Sequence, residues 1–185
     1  MSEYRIASRY AKSLLELASE KGQLEEVNKD MLLFSDVIQE NRDFLLFLKS
    51  PVVAHDKKLK VLNQVFTGKV NDLTLAIFRI LINKQREAYL PAIATEFHHQ
   101  YNAKTGVAEA TVTTTFPIDA ELRNEFKEVV KKISGKEVEL TETVDESLIG
   151  GFILKVGDRQ IDDSINSRLK ALKLKFSQNP YVKEF

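Results

Sequence analysis

The chain has 185 residues, 43% of them hydrophobic, which suits one or two small domains with cores of their own. Its 27 Lys+Arg balance its 27 Asp+Glu, so no long-range field favours nucleic acid or an anionic membrane, and any partner is expected to be protein. The lack of cysteine removes disulfides, thiolate metal sites and cysteine nucleophiles together. No apolar stretch reaches the ~20 residues of a membrane span, and the opening Met-Ser-Glu-Tyr lacks a signal peptide's charged-then-apolar order. A bacterial-type cytoplasm, or a mature form, is the expected setting.

From Ser2 to about Lys21, Ile6, Tyr10, Leu14, Leu17 and Ala18 recur at helical spacing, and Gly22 stops the run. A second helix is predicted over Leu24 to Gln39, with Val27, Met31, Phe34 and Ile38 on one stripe before the Asn41-Arg-Asp break. Phe44 to Leu48 reads as a short apolar turn ended by Ser50-Pro51, because the residue before proline avoids helical dihedrals. Asp56 is the expected cap of a helix carrying Leu59, Leu62, Val65 and Phe66, which stops at Gly68. Asp72 is the expected cap of a fifth helix, Leu73 to Ile82, whose only polar members are Thr74 and Arg79. A helix apolar all round must be covered all round, so one side meets a core and the other lies deep or forms a partner's groove. The sixth helix, about Tyr89 to Lys104, has Pro91 in its first turn and ends at Gly106.

The period then changes. Val107 to Thr114 alternates, with Ala108, Ala110 and Val112 on one face of a strand. Pro117-Ile118-Asp119 introduces a helix with Leu122, Phe126, Val129, Val130 and Ile133, stopped by Gly135, and a second strand covers about Glu137 to Thr143. Gly150-Gly151 lets the backbone turn or approach a neighbour closely, and Phe152 to Val156 follows as a short apolar strand broken only by Lys155. Gly157-Asp158 turns the chain into Gln160-Ile161, and Asp162, Asp163 or Ser164 caps a helix with Ile165, Leu169, Leu172 and Phe176. The expected architecture is mainly α: an N-terminal six-helix bundle over residues 1–104 and a small α/β domain over residues 105–185.

No catalytic constellation emerges. The glycine pair precedes a strand, whereas phosphate loops and dinucleotide fingerprints place their glycines before a helix. His55, His98 and His99 are the only histidines, and the adjacent pair diverges by about 100° on a helix, so surface or packing roles are expected. Glu137, Glu139, Glu142, Asp145 and Glu146 lack the glycine and loop spacing of a calcium site. Ser147 and Ser164 sit in no nucleophile elbow. Lys57, Lys58 and Lys60, like Lys170, Lys173 and Lys175, read as solvated helix faces because no aromatic residues interleave them. The first helix, in contrast, sets small Ala7, Ala11 and Ala18 beside Tyr10 and Leu14, which permits close approach of an amphipathic partner helix. The residues alone leave open an enzyme, a helical adaptor and a structural joint.

Four stretches in order along the chain resemble the delta subunit family of rotary ATP synthases, known in mitochondria as the oligomycin-sensitivity-conferral protein. They are Arg9-Tyr-Ala-Lys-Ser-Leu-Leu-Glu-Leu-Ala-Ser-Glu-Lys-Gly22, Phe47-Leu-Lys-Ser-Pro-Val-Val53, Leu81 to Tyr101 followed by Gly106-Val107, and the segment from Val144 through the glycine pair to Leu169. The resemblance implies a non-catalytic stator component with no cofactor. It implies that the first domain holds N-terminal helices of the alpha subunits and that the second meets the peripheral-stalk b subunits. It further implies attachment to the cytoplasmic face of a bacterial inner membrane only through the complex, with no nucleic-acid partner. On that footing Tyr10, Ala11, Leu14, Ile77, Ile80 and Leu81 are expected to face an alpha-subunit helix, with Tyr10 and Ile80 as anchors. Gly150 is the expected sensitive position toward the stalk. A helical adaptor unrelated to ATP synthesis is the alternative.

Overall fold

The computed structural model describes residues 3–177, and the chain divides into two compact units, 1–104 and 105–185. The first holds helices α1 (Glu3–Glu20), α2 (Leu24–Glu40), α3 (Arg42–Lys49), α4 (His55–Phe66), α5 (Asp72–Asn83) and α6 (Leu90–Thr105), with a single 3-10 turn at Glu87–Tyr89. Gly22 at φ 67° closes α1 as the Gln23 amide returns to the Ala18 carbonyl. The short apolar turn expected over Phe44 to Leu48, counted among the six helices, is the longer helix α3, because the Asn41 side chain accepts the Phe44 amide and starts it earlier. Two expected caps are also corrected. Asp56 lies inside the first turn of α4 behind Ala54, and α5 is capped by Asn71, whose Oδ1 accepts the Leu73 amide.

One core draws on all six of these helices. Phe34, Phe66 and Phe78 meet at its centre with ring centroids 4.9 to 5.7 Å apart. Most polar groups inside it are paired, the exception among the described residues being Glu87 Oε2, which is buried with no hydrogen-bond partner. Buried Asp30 of α2 accepts the Asn71 amide and the Thr74 hydroxyl, both at 2.7 Å, so a carboxylate sits at the amide-rich start of α5.

The second unit holds β1 (Val107–Thr114), α7 (Ala120–Ser134), β2 (Glu137–Val144), β3 (Phe152–Val156), β4 (Arg159–Asp162) and α8 (Ile165–Ser177). The sheet order is β2-β1-β3-β4. α7 crosses between parallel β1 and β2, whereas β3 runs antiparallel to β1 and pairs with β4 in a hairpin. Register fixes the faces: Ala110 lies opposite Leu140 and Val156, and Val112 opposite Leu154, making the apolar side that packs with Leu122, Phe126 and Val130 of α7. The other side carries Thr111, Thr113, Thr141, Thr143 and Lys155. Among the described residues no helix is long and apolar enough to cross a membrane.

Candidate functional site

In the first unit the six expected partner-facing residues separate by burial. Ala11, Leu14, Ile77 and Leu81 are buried in the core, Tyr10 is half-buried, and Ile80 is exposed at 48%. The reading of all six as presented to a partner is thereby corrected. α5 sinks Leu73, Thr74, Leu75, Ile77, Phe78, Leu81 and Ile82 into the interior, and Asp72, Ala76, Arg79, Ile80 and Asn83 remain outside. On α1, Leu17 is exposed and stands seven residues from Tyr10, on the same stripe. On these two helices the open apolar positions include Tyr4, Leu17, Ala76 and Ile80, with Tyr10 open in part.

The turn after α5 is fixed from both sides. Arg86 donates from Nη1 to the Tyr10 hydroxyl at 2.8 Å, and its guanidinium lies 5.7 Å from the Tyr10 ring centroid. The next residue, Glu87, accepts from Lys58 at 2.8 Å and faces His55 Nδ1 at 3.2 Å. Lys58 is only 2% exposed, which corrects its reading as part of a solvated face. Its ammonium also donates to the carbonyls of Leu48 at 2.9 Å and Ser50 at 2.7 Å, the orphan acceptors at the end of α3. The signal was present in the spacing: Lys58, Leu62 and Phe66 are four apart, so Lys58 stands on the buried stripe of α4. Burial pushes the Glu87 carboxyl up, but the Lys58 hydrogen bond, its own backbone, the Lys58 charge and His55 outweigh this and hold the group below its ordinary value.

In the second unit Gly150 occupies a different setting from the one expected. It does not adopt positive φ, and a Cβ there would meet the Ile165 side chain, with Cδ1 at 2.6 Å, and no backbone. The strict positions flank it. Gly151, at φ 77°, would place a Cβ 2.3 Å from the Asp163 carbonyl, and Ile149 itself holds φ 67° while 65% exposed. This loop is sewn to the start of α8: the Gly150 carbonyl accepts the Ile165 amide, and the Ser147 carbonyl accepts from Asn166. Ser164 caps α8 through the Ser167 amide, and Asp162 accepts the Ser167 hydroxyl and the Ser164 amide, which in that order hold its carboxyl below the ordinary range.

The body of α8 then leaves the core. Ile165, Leu169, Leu172 and Phe176 are all exposed, Phe176 to 86%. Sequence reading found this stripe but not its exposure, which depends on whether the sheet supplies a facing surface. Two acidic residues of β2 are engaged within the unit, Glu142 with Arg123 and Glu137 with Lys131. His98 Nδ1 meets Asn28 Oδ1 at 3.1 Å. Both units thus present apolar side chains beside fixed polar frames, an arrangement suited to association.

Comparison with known proteins accords with that chemistry. The profile of a family described as "ATP synthase delta (OSCP) subunit" matches residues 6–176. The chain is 42% identical over 178 residues to an ATP synthase subunit delta of Cytophaga hutchinsonii, covering 96% of this chain and 97% of that one. It is 38% identical over 181 residues to the corresponding protein of Amoebophilus asiaticus, with 97% and 98% covered. Among solved structures, a chain of the Toxoplasma gondii mitochondrial ATP synthase hexamer superposes with TM-score 0.75 at 26% identity, covering 94% of this chain and 98% of that chain.

Proposed function

The chain belongs to the ATP synthase delta (OSCP) subunit family, and from that membership we propose that it joins the alpha/beta catalytic head to the peripheral-stalk b subunits. The family's members are non-catalytic subunits, and this chain is a component of an ATP synthase. The six-helix bundle of residues 1–104 binds N-terminal helices of the alpha subunits, and residues 105–185 contact the stalk. The assembly lies at the cytoplasmic face of a bacterial inner membrane, with this subunit peripheral to it. As the rotor turns, the head feels an opposite torque and would idle unless tied to the membrane sector. A slowly dissociating protein joint answers that demand.

The observation that carries this reading is that each unit keeps apolar side chains outside its own core, Ile80 with Leu17 in the first and the α8 stripe in the second. A joint between two partners needs one such surface per partner. The test is rebinding of the full chain to membranes stripped of the endogenous subunit, with restoration of coupled ATP synthesis as the readout. Failure to rebind would leave the helical adaptor reading. For the first unit, titration with a synthetic alpha-subunit N-terminal peptide should show Ile80→Ala weakening binding about tenfold, because covering the open half of an isoleucine contributes roughly 1 to 1.5 kcal/mol. Tyr10→Ala should weaken it as well, but it also removes the acceptor of Arg86, so Ile80 gives the cleaner result.

A further inference from the structure

We propose that α8 is one strand of an intermolecular coiled coil, and that its occupant is a helix with an apolar heptad seam flanked by acidic residues. This deepens the reading above and rests on it for the identity of the partner as a stalk helix. The spacing is the first observation. Ile165, Leu169, Leu172 and Phe176 are separated by four, three and four residues, the alternation of d and a positions in a heptad. At about 100° per residue they fall within an arc of roughly 60°, the narrow seam of a two-stranded contact rather than the wider stripe of a core-facing helix. All four are exposed, so no element of the described chain fills that seam.

Charge names the occupant. With Leu169 at a, the flanking e and g positions are Asn166, Arg168, Lys173 and Lys175, and α8 carries no acidic residue. Residues at e and g choose a coiled-coil partner through interhelical ion pairs. A second copy of this chain would set lysine against lysine and is disfavoured, whereas glutamates or aspartates at e and g of another helix would pair with them. Arg168 already engages Asp163, which holds it beside the seam. A strained residue stands at the seam's start: exposed Ile149, at φ 67°, precedes Gly150, whose carbonyl takes the Ile165 amide. A β-branched side chain kept at positive φ in water marks a position selected for something other than the stability of the unit.

The test uses the full chain and two synthetic three-heptad peptides, each with leucine at a and d, one with glutamate and the other with lysine at e and g. The acidic peptide should bind at least about tenfold tighter than the basic one at low salt, and Lys173→Glu with Lys175→Glu should reverse the order. Leu169→Ser with Leu172→Ser should lose about tenfold or more while the melting temperature stays unchanged, since both side chains lie outside the core. Equal binding of the two peptides, or binding of neither, overturns the proposal. So does adsorption to phosphatidylglycerol vesicles, or self-association, that the serine variant abolishes while neither peptide binds. Stripped membranes separate this from the broader reading. If the wild-type chain does not rebind, the stalk assignment falls and the peptides still judge α8. If wild type and the serine variant rebind equally, the α8 assignment falls alone.

Discussion

The two units solve opposite problems. The helical unit gathers twenty-two buried hydrophobic residues into one core, whereas the sheet unit gathers five, so interior packing dominates the first and the second leaves apolar side chains on its surface. The polar interior follows the same division. In the first unit Lys58, Glu87, Asp30 and Thr74 are all buried and tie helix ends to one another. In the second, the ion pairs Arg123 with Glu142 and Lys131 with Glu137 stand in solvent, where such pairs contribute little. The difference is one of degree: the first unit closes most of its apolar side chains into one core and leaves some, such as Leu17 and Ile80, outside, whereas the second leaves the whole α8 stripe exposed.

The largest effect should come from breaking the first unit's interior. Lys58→Met removes the buried cation, leaves the Glu87 carboxylate with half-exposed His55 alone and takes a donor from two carbonyls, so urea titration should show a loss of about 3 to 5 kcal/mol. Adding Glu87→Leu should return part of it, because the stranded charge is gone. The pH dependence has a definite sign. The Glu87 carboxyl is held below its ordinary value in the folded chain, so its contribution is complete above the ordinary carboxylate range and is lost as pH falls through that range toward the folded value. Glu87→Gln should flatten the acid limb of the stability curve, and an unchanged limb would show that the network is not what acid breaks.

The second unit should break at its glycine rather than at a charge. Gly151→Ala combines a left-handed backbone with a Cβ set against the Asp163 carbonyl, and should cost about 2 kcal/mol or more. Hydrogen exchange should localise the loss to residues 105–177 and leave α1 to α6 protected. Gly150→Ala should cost less, because the end of the Ile165 side chain can swing aside. Its effect should appear in stalk binding, since Ile165 opens the apolar seam.

Why some of this was readable and some not follows from the range of each interaction. Helix and strand existence was legible because periods of 3.6 and 2 are local, and Gly22 and Gly135 end their helices at positive φ as their positions suggest. Caps were less legible: Asn71 and Asp72 are equally good candidates on paper, and the choice was made by Asp30, forty-one residues away, which takes the Asn71 amide. The expected groove residues on α1 and α5 fared least well. Apolarity alone does not say which side of a helix meets its own core, and on α5 the interior took all but Ala76 and Ile80 of the apolar positions. Lys58 was misread for the converse reason, because its charge outweighed its register with Leu62 and Phe66.

A smaller effect should sharpen the contrast between a side chain kept for packing and one kept for a partner. Ile149→Gly relieves a β-branched residue at φ 67°. A left-handed residue with a Cβ costs roughly 1 to 2 kcal/mol, and the added freedom of glycine in the unfolded chain takes back about 0.5 to 1. A net gain of about 1 kcal/mol in unfolding free energy is expected, together with weaker binding of the acidic heptad peptide. Stability and affinity moving in opposite directions would mark Ile149 as a residue held for the interface. Both falling together would assign it to the unit's own packing.

The smallest effect belongs to the first unit's one counterpart among the described residues, Gln85 at φ 57°. Its conformation has a plain structural cause. The Arg86 amide returns to the Leu81 carbonyl at 2.8 Å and the Gln85 amide to Ile82 at 2.9 Å, the pair of bonds that closes a helix through a left-handed residue. Glycine is the usual occupant, and glutamine is exposed here and not β-branched, so its strain is less than that of Ile149. Gln85→Gly should therefore raise stability by only about 0.5 kcal/mol, read as a small upward shift of the melting temperature. It should leave affinity for the alpha-subunit peptide unchanged, because Arg86 keeps its bond to Tyr10 and Glu87 keeps Lys58. A clear loss of peptide affinity would show that the Gln85 side chain itself reaches the groove, and would move the first unit's binding surface from Ile80 toward the turn that follows it.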